Sequence, residues 1–392
     1  MTRRRVAVTG LGVVASCGIG CDAFWSGLHQ APRPGNVLPI EDFDPAPYFG
    51  NPKEARRADR FQQFALAAAA EALEQSGRPP AEPVRFGVII GTGIGGLNTL
   101  EEQTIVRHEK GPRRVSPFLI PMVMGNAPAA AVSMRYGFQG PCETVVTACA
   151  TGTHAIANAA RLISSGRCDA MIAGGTEAAM TITGIAGFAN MTALSSIGIS
   201  RPFDAERDGF VMSEGAAVVV LELWEQAKQR GAKILGEVLG GASTADAYHI
   251  TAPSPGGSGA VACMELALDE AGLKPTDIVH INAHGTSTPL NDAAEAEAIA
   301  KVFGLPGPAV TSIKGVTGHA LGAAGAIEAV ATVLSFMHRR IPPTMGFTNR
   351  DPQLPEIDIV TGDGRSWEPG PTLSNSFGFG GHNGCLVLAP PT

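Results

Sequence analysis

The sequence predicts a mixed α/β protein built from two similar halves, and three observations carry that prediction. Its 392 residues exceed what one hydrophobic core usually serves. Apolar strands alternate with helical stretches along the whole chain. After residue 232 the alternation restarts, which divides the chain into residues 1–232 and 233–392. Strands that are apolar along their length suit buried sheet with helices on both faces.

Composition narrows the function. With 44% hydrophobic residues and 49 glycines the chain reads as compact, with many tight turns. A net charge of −7 argues against nucleic acid as main partner. No run approaches the roughly 20 apolar residues of a membrane span. The seven cysteines, at 17, 21, 142, 149, 168, 263 and 385, show no CxxC spacing, which suits reduced thiols in a cytoplasmic protein.

In order, VAVTGLGVVA predicts a buried first strand. After MTRRR it also has the shape of an export signal, but Thr9, Gly10 and Gly12 interrupt the run. Gly10-x-Gly12-x-x-Ala15 and Gly91-x-Gly93-x-x-Gly96 each follow a strand and match a dinucleotide-binding fingerprint loosely. Neither has the acidic residue that should close a second strand about 20 residues on, so a nicotinamide-dependent oxidoreductase stays an alternative only. A short helix is expected over Asp22 to His29, a loop over 30–52, and an alanine-rich helix over Glu54 to Gln75. Next come a strand at Arg85 to Ile90, a basic polar connection at 104–117 and an apolar segment at 118–135.

ETVVTACATGTHAIANAARLISSG, Glu143 to Gly166, predicts a strand running straight into a helix, with Cys149 at the joint. A thiol there faces unpaired N–H groups and the positive helix end, which favours its thiolate. A small apolar cysteine in a tight turn is the other reading of this stretch. A strand at Asp169 to Ala173 follows, closed by Gly174 and Gly175, then a loop and a strand at Gly215 to Leu223. The second half predicts strands at Ile234 to Leu239, Ile278 to Asn282 and Ala309 to Ile313, and helices at Ala260 to Ala271 and Asp292 to Val302. A long helix from His319 to His338, a Gly-rich loop at 378–384 and a strand at Cys385 to Leu388 close the chain.

His284 follows the strand VHIN, while Lys314 and His319 follow the strand AVTSI. Strand C-termini are where ligand sites of α/β folds gather. Each histidine alone reads equally as a structural residue, but three reactive groups just beyond strands point to one site. From His319 to Met337 the only ionisable side chain is Glu328, and a buried carboxylate there needs a cation, for which Lys314 is nearest in sequence.

These motifs, TACATG, NAHGTSTP, KGVTGHALGAAGAIE and NSFGFGGHNG, resemble the signatures of the β-ketoacyl-[acyl-carrier-protein] synthases and of type II polyketide ketosynthase subunits. The resemblance covers nearly the whole chain and implies a thiolase-like fold in a layered αβαβα arrangement. It implies a decarboxylative condensation in fatty acid or polyketide synthesis, with substrates carried on the phosphopantetheine arm of acyl carrier protein and no permanent cofactor or metal. By the same resemblance Cys149 accepts the acyl group, His284 and His319 act on the malonyl thioester, and Lys314 with Glu328 supports them. The backbone N–H groups of Cys149 and Phe379 form the oxyanion hole, and Thr286 and Thr288 bind pantetheine. Ile94 and Phe118 line the acyl pocket, which Phe379 gates. Arg56, Arg57, Arg113 and Arg114 are the expected carrier-protein contacts. A homodimer, or a heterodimer with a chain-length-factor-like subunit, is implied as well.

Departures from the pattern are the short SSIGIS segment before Arg201 and His382 where threonine is usual. They lean towards specialised metabolism without deciding the pathway. A thiolase acting on acyl-CoA shares the implied fold, but uses a second reactive cysteine with one histidine. A zinc hydrolase could use Cys149, His284 and His319 as ligands, which the nearby Lys314 disfavours.

Overall fold

The computed structural model describes residues 4–392. The chain opens with strand β1 (Val6–Ala15), buried at all ten positions. Helix α1 (Arg60–Ser76) lies against it so closely that a Cβ on Gly10 would sit 2.1 Å from the Ala72 carbonyl oxygen, and one on Gly12 1.8 Å from that of Ala68. The first glycine motif is therefore the inside of a strand that a helix contacts, and it makes no phosphate-binding turn.

The first half continues through β2 (Phe86–Gly91), α2 (Leu97–Lys110), α3 (Ala127–Tyr136), β3 (Cys142–Glu143), α4 (Thr151–Ser164), β4 (Ala170–Glu177) and β5 (Gly215–Leu223). The second half holds β6 (Gly236–Ala245), α5 (Ser258–Ala271), β7 (His280–Asn282), α6 (Pro289–Phe303), β8 (Ala309–Thr311), α7 (Ala324–His338), β9 (Asp358–Ile359), β10 (Thr372–Gly378) and β11 (His382–Ala389). These strands join in one sheet, in the order β9-β8-β7-β10-β11-β6-β1-β5-β4-β2-β3. The two halves meet where β1 pairs with β6 at Ala7–Glu237 and Val8–Gly236.

Three apolar clusters define the layers. The central one packs α4 (Ile156, Ile163) and α7 (Ile327, Val330) between strands of both halves, such as Val219 and Leu386. On the outer face of the first half Phe61 and Phe64 of α1 cover Val88 and Ile172. On the outer face of the second, Met264 of α5 and Ile299 of α6 cover Ile281 and Leu373. The result is the αβαβα layering that the resemblance implies.

Several boundaries differ from the sequence reading. Residues 104–117, expected as a connection, are largely the helix α2 and a following turn of 3₁₀ helix at Pro112–Arg114. Gly174 and Gly175 do not close β4 but lie inside it, where Gly175 admits the Gly322 carbonyl. The Gly-rich loop shrinks to residues 379–381, between β10, which was not foreseen, and β11. His319 precedes α7 instead of starting it. Leu321–His338 is long and apolar enough to cross a membrane, contrary to the expectation of no such run, but 89% of that stretch is buried in protein as part of the central layer.

One core residue makes stability sensitive to acid. His280, 1% exposed on β7, has no hydrogen-bond partner on either ring nitrogen among the described residues and stands edge-on to Trp367 at 5.3 Å. Burial, with the Arg365 charge adding to it, pushes its pKa from 6.5 down to about 3. Below pH 6.5 the unfolded chain therefore binds this proton before the folded one, and stability falls as pH falls. His280→Phe is expected to flatten that decline, with a relative gain of about 2 kcal/mol at pH 5 and little at pH 7, read by urea unfolding at both. An unchanged pH slope would contradict it.

Candidate active site

Cys149 sits at the start of a helix as expected, but the strand expected to run straight into it ends at Glu143, and residues 144–147 separate it from Ala148. After β3 the chain runs without regular secondary structure to Ala148, which adopts a left-handed φ of 49°, and a turn of 3₁₀ helix, Ala148–Ala150, leads into α4. Cys149 in that turn is 8% exposed. Its backbone touches β10 so closely that a Cβ on Gly378 would lie 2.9 Å from the Cys149 nitrogen, which explains the glycine. Phe379 follows, and its backbone N–H acts to lower the Cys149 thiol pKa.

Both histidines arrive from the second half. His284 lies two residues beyond β7, and its N–H and that of Gly285 donate to the buried Glu295 carboxylate at 2.8 and 2.7 Å. His319 is pinned through its own backbone: its N–H donates to the Val211 carbonyl at 2.8 Å, and its carbonyl accepts from the Ser213 N–H at 3.0 Å. The His319 Nε2 stands 3.0 Å from the Cys149 Sγ, and the two imidazole rings lie 5.4 Å apart, nearly perpendicular. Lys314, fully buried, donates to the His284 carbonyl at 2.6 Å, stands 3.3 Å from the His284 Nδ1, and is ion-paired with Glu328.

Electrostatics set the resting protonation. Burial pushes the Cys149 thiol up to about 12, against the opposing pull of the Lys314 charge and the Phe379 N–H. The sequence expectation of a favoured thiolate is therefore not met in the resting site: desolvation outweighs the helix end. Burial first, and the Lys314 charge second, hold both His284 and His319 well below the usual histidine range, so both are neutral at pH 7. Burial raises Glu295 to about 7, while the N–H groups of Gly285 and His284 oppose it. Burial also raises Glu328, against the attraction of Lys314.

A cavity of about 330 Å³ leads to this cluster and is lined by Cys149, His284, His319, Thr286, Thr288 and Phe379 among others. Thr286 and Thr288 exchange a hydrogen bond at 2.9 Å. Ile94, 44% exposed, and the half-buried Phe118 do not line this cavity. The Arg57 guanidinium instead stacks over the Phe118 ring at 4.4 Å, which links the segment carrying Arg56 and Arg57 to that carrying Arg113 and Arg114; all four arginines are exposed. His382 is half-buried beside the 379–381 loop.

Three supporting groups escaped the sequence reading. Glu295 was one, although Asp292 and Glu295 at the start of a helix just after NAHGTSTP offered a signal. Glu177 accepts hydrogen bonds from Thr92, Gly93 and Gly322, tying the second glycine motif to the turn before α7. His154 on α4 contacts the Thr147 hydroxyl at 2.8 Å and the Asn383 carbonyl at 3.1 Å, joining the nucleophile turn to β11. That glycine motif is thus held by a carboxylate, which is no phosphate site.

A doubled α/β fold that buries a cysteine thiol beside two neutral imidazoles on the lining of a cavity has the groups that acyl transfer uses. Residues 29–227 match the N-terminal domain of β-ketoacyl synthase and residues 235–348 its C-terminal domain. The 3-oxoacyl-[acyl-carrier-protein] synthase 2 of Synechocystis sp. is 46% identical over 99% of this chain and 98% of its own, and that of Coxiella burnetii 44% over 99% of each. Among solved structures, the ishigamide ketosynthase/chain length factor aligns with a TM-score of 0.93 at 32% identity, covering 100% of each chain. A type II polyketide acyl-carrier protein in complex with its ketosynthase bound to the hexaketide gives 0.91, also at 32% and 100% of each. The chain belongs to the β-ketoacyl synthase family.

Proposed function

We propose that this chain joins an acyl group held on Cys149 to a malonyl thioester of acyl carrier protein, with loss of CO₂, in fatty acid or polyketide synthesis. The observation that carries the reading is the Cys149–His319 contact at 3.0 Å with His284 across from it and the cavity open to both.

The steps follow from the geometry. The carrier's acyl thioester enters beside Thr286 and Thr288, whose hydroxyls suit the amides of a pantetheine arm. The Cys149 sulfur attacks the carbonyl carbon as its proton leaves, and His319 Nε2 is the nearest base. The N–H groups of Cys149 and Phe379 meet the developing oxyanion. The carrier thiolate departs and takes that proton, so the imidazole returns to its neutral state. Malonyl-carrier protein then binds and loses CO₂. The electron pair moves onto the thioester oxygen, where the N–H groups of His284 and His319 receive it. The enolate carbon attacks the acyl-Cys149 carbonyl, the β-ketoacyl thioester leaves on the carrier, and the Cys149 thiolate takes up one proton from solvent, the proton that the overall reaction consumes. Lys314, fixed by Glu328 and the His284 carbonyl, keeps both imidazoles neutral, the form that donates one N–H and accepts at the other nitrogen.

Around this centre, Arg56, Arg57, Arg113 and Arg114 form a basic face suited to an acidic carrier. Ile94 and Phe118 would then line the acyl pocket only once a second subunit, identical or chain-length-factor-like, closes over them and over the exposed edge strand β3. The free cysteines fit the cytoplasm. Loading is tested by intact-protein mass spectrometry with acyl-carrier proteins from acetyl to long-chain and polyenoyl. A single acyl adduct that vanishes in Cys149→Ala is expected, and the acyl group that loads fastest assigns the pathway. No adduct with any donor, alone or with a candidate partner chain, would refute the reading.

A further inference from the structure

The three reacting side chains form a second kind of site. The donor atoms of Cys149, His284 and His319 all lie within 4.8 Å of one another, and all three residues are buried; among the described residues this is the one such group of metal-ligating side chains. One thiolate and two imidazoles are the donor set of a three-ligand zinc centre with its fourth position open to the cavity. Tetrahedral zinc at ordinary bond lengths asks for donor separations of roughly 3.3 to 3.6 Å, so movements of about 1 Å would complete the cage. A thiol enzyme with this arrangement is exposed to poisoning by thiophilic metals, and something in the site must oppose it.

Lys314 is placed to do so in two ways. Its ammonium stands 3.3 Å from the His284 Nδ1 and donates towards it, which leaves the proton of the neutral ring on Nε2, the opposite nitrogen, and takes that lone pair away from a metal. The same ammonium is a fixed positive charge at the cluster, held by Glu328 and by the His284 carbonyl, and it repels a dication in a site with little water to screen it. We propose that Lys314 excludes thiophilic divalent cations such as Zn²⁺ from the Cys149–His284–His319 cluster, so that removing its charge turns the cluster into a metal site.

This goes beyond the condensation reading, because metal uptake is read on the protein alone, without substrate. Co²⁺ is the probe, since a thiolate bound to tetrahedral cobalt gives a charge-transfer band in the near ultraviolet, and Zn²⁺ competition gives the affinity. Lys314→Met/Glu328→Gln leaves no unpaired buried charge. That variant is expected to bind one equivalent with the thiolate band, at a half-saturating concentration at least about tenfold below that of the unaltered protein. Adding Cys149→Ala should erase the band. Equal uptake by the unaltered protein, or a folded double variant without the band, would overturn the proposal. If the double variant does not fold, the unaltered protein decides: Zn²⁺ at tens of micromolar should not shield Cys149 from iodoacetamide, and shielding would overturn it.

Discussion

Cys149→Ala is expected to abolish acyl loading and to lower condensation by at least about 10⁴-fold while the protein stays folded. Cys149 carries the one thiol among the described residues that line the cavity: its neighbours His284 and His319 are neutral rings held at right angles, and the Lys314 ammonium is occupied by Glu328 and the His284 carbonyl. Removing one small buried atom leaves a void costing about 1 kcal/mol, well within the margin of a domain this size. A melting curve alongside product formation separates the two effects. Turnover within tenfold of the unaltered protein, with no adduct on the remaining chain, would require a mechanism without a covalent intermediate and would remove Cys149 from its role.

The position of Cys149 at a helix start was legible because its signal is local. A β-favouring run, a cysteine and a helical run sit within one stretch of sequence, and the structure bends the chain at that cysteine. The protonation state of the thiol was not legible, because it depends on how completely residues from the other half bury it. His319 is 170 positions away in sequence, and Phe379 further still. Likewise the pairing of Lys314 with Glu328 could be read from a single ionisable residue in an apolar helix. Glu295 was missed despite the acidic pair just after NAHGTSTP, because its partners are backbone N–H groups of the loop that carries His284, which leave no mark in side-chain type.

The missed elements share a physical cause. Helix α2 buries only Thr99 in this chain, so it has no apolar stripe from which a period of 3.6 could be read. Strand β10 reads TLSNSFG, and its buried polar side chains disguise a central strand. Two of them meet distant partners: Ser376 meets the Thr153 hydroxyl at 2.8 Å, and the Asn375 amide donates to Glu295 at 3.2 Å. Glycine likewise misled twice, in β1 and β4, where it admits a neighbouring backbone and makes no turn.

Replacing both His284 and His319 by alanine is expected to separate the two half-reactions. Acyl loading needs an electrophile delivered to sulfur, an oxyanion hole and a destination for one proton. The backbone N–H groups of Cys149 and Phe379 and the Lys314 charge survive the substitution, so only the assistance of His319 to proton transfer is lost. Loss of a general base costs about 10²-fold at the low end of its range, and a single loading event seen by mass spectrometry tolerates that. Decarboxylation needs two N–H donors at the thioester oxygen, and the variant has neither. One preorganised donor is worth about 10² to 10³, so removing the pair should lower CO₂ release by at least about 10⁴-fold. Release of CO₂ at more than a few per cent of the original rate would show that the imidazoles do not hold the enolate. The unaltered enzyme offers an independent check through pH. Because burial and Lys314 keep both rings neutral well below 6.5, the decarboxylation rate should pass through pH 6.5 without the acid limb of an ordinary histidine. A limb centred there would mean that one ring is solvated and protonates freely, and would overturn the assignment of both as buried neutral donors.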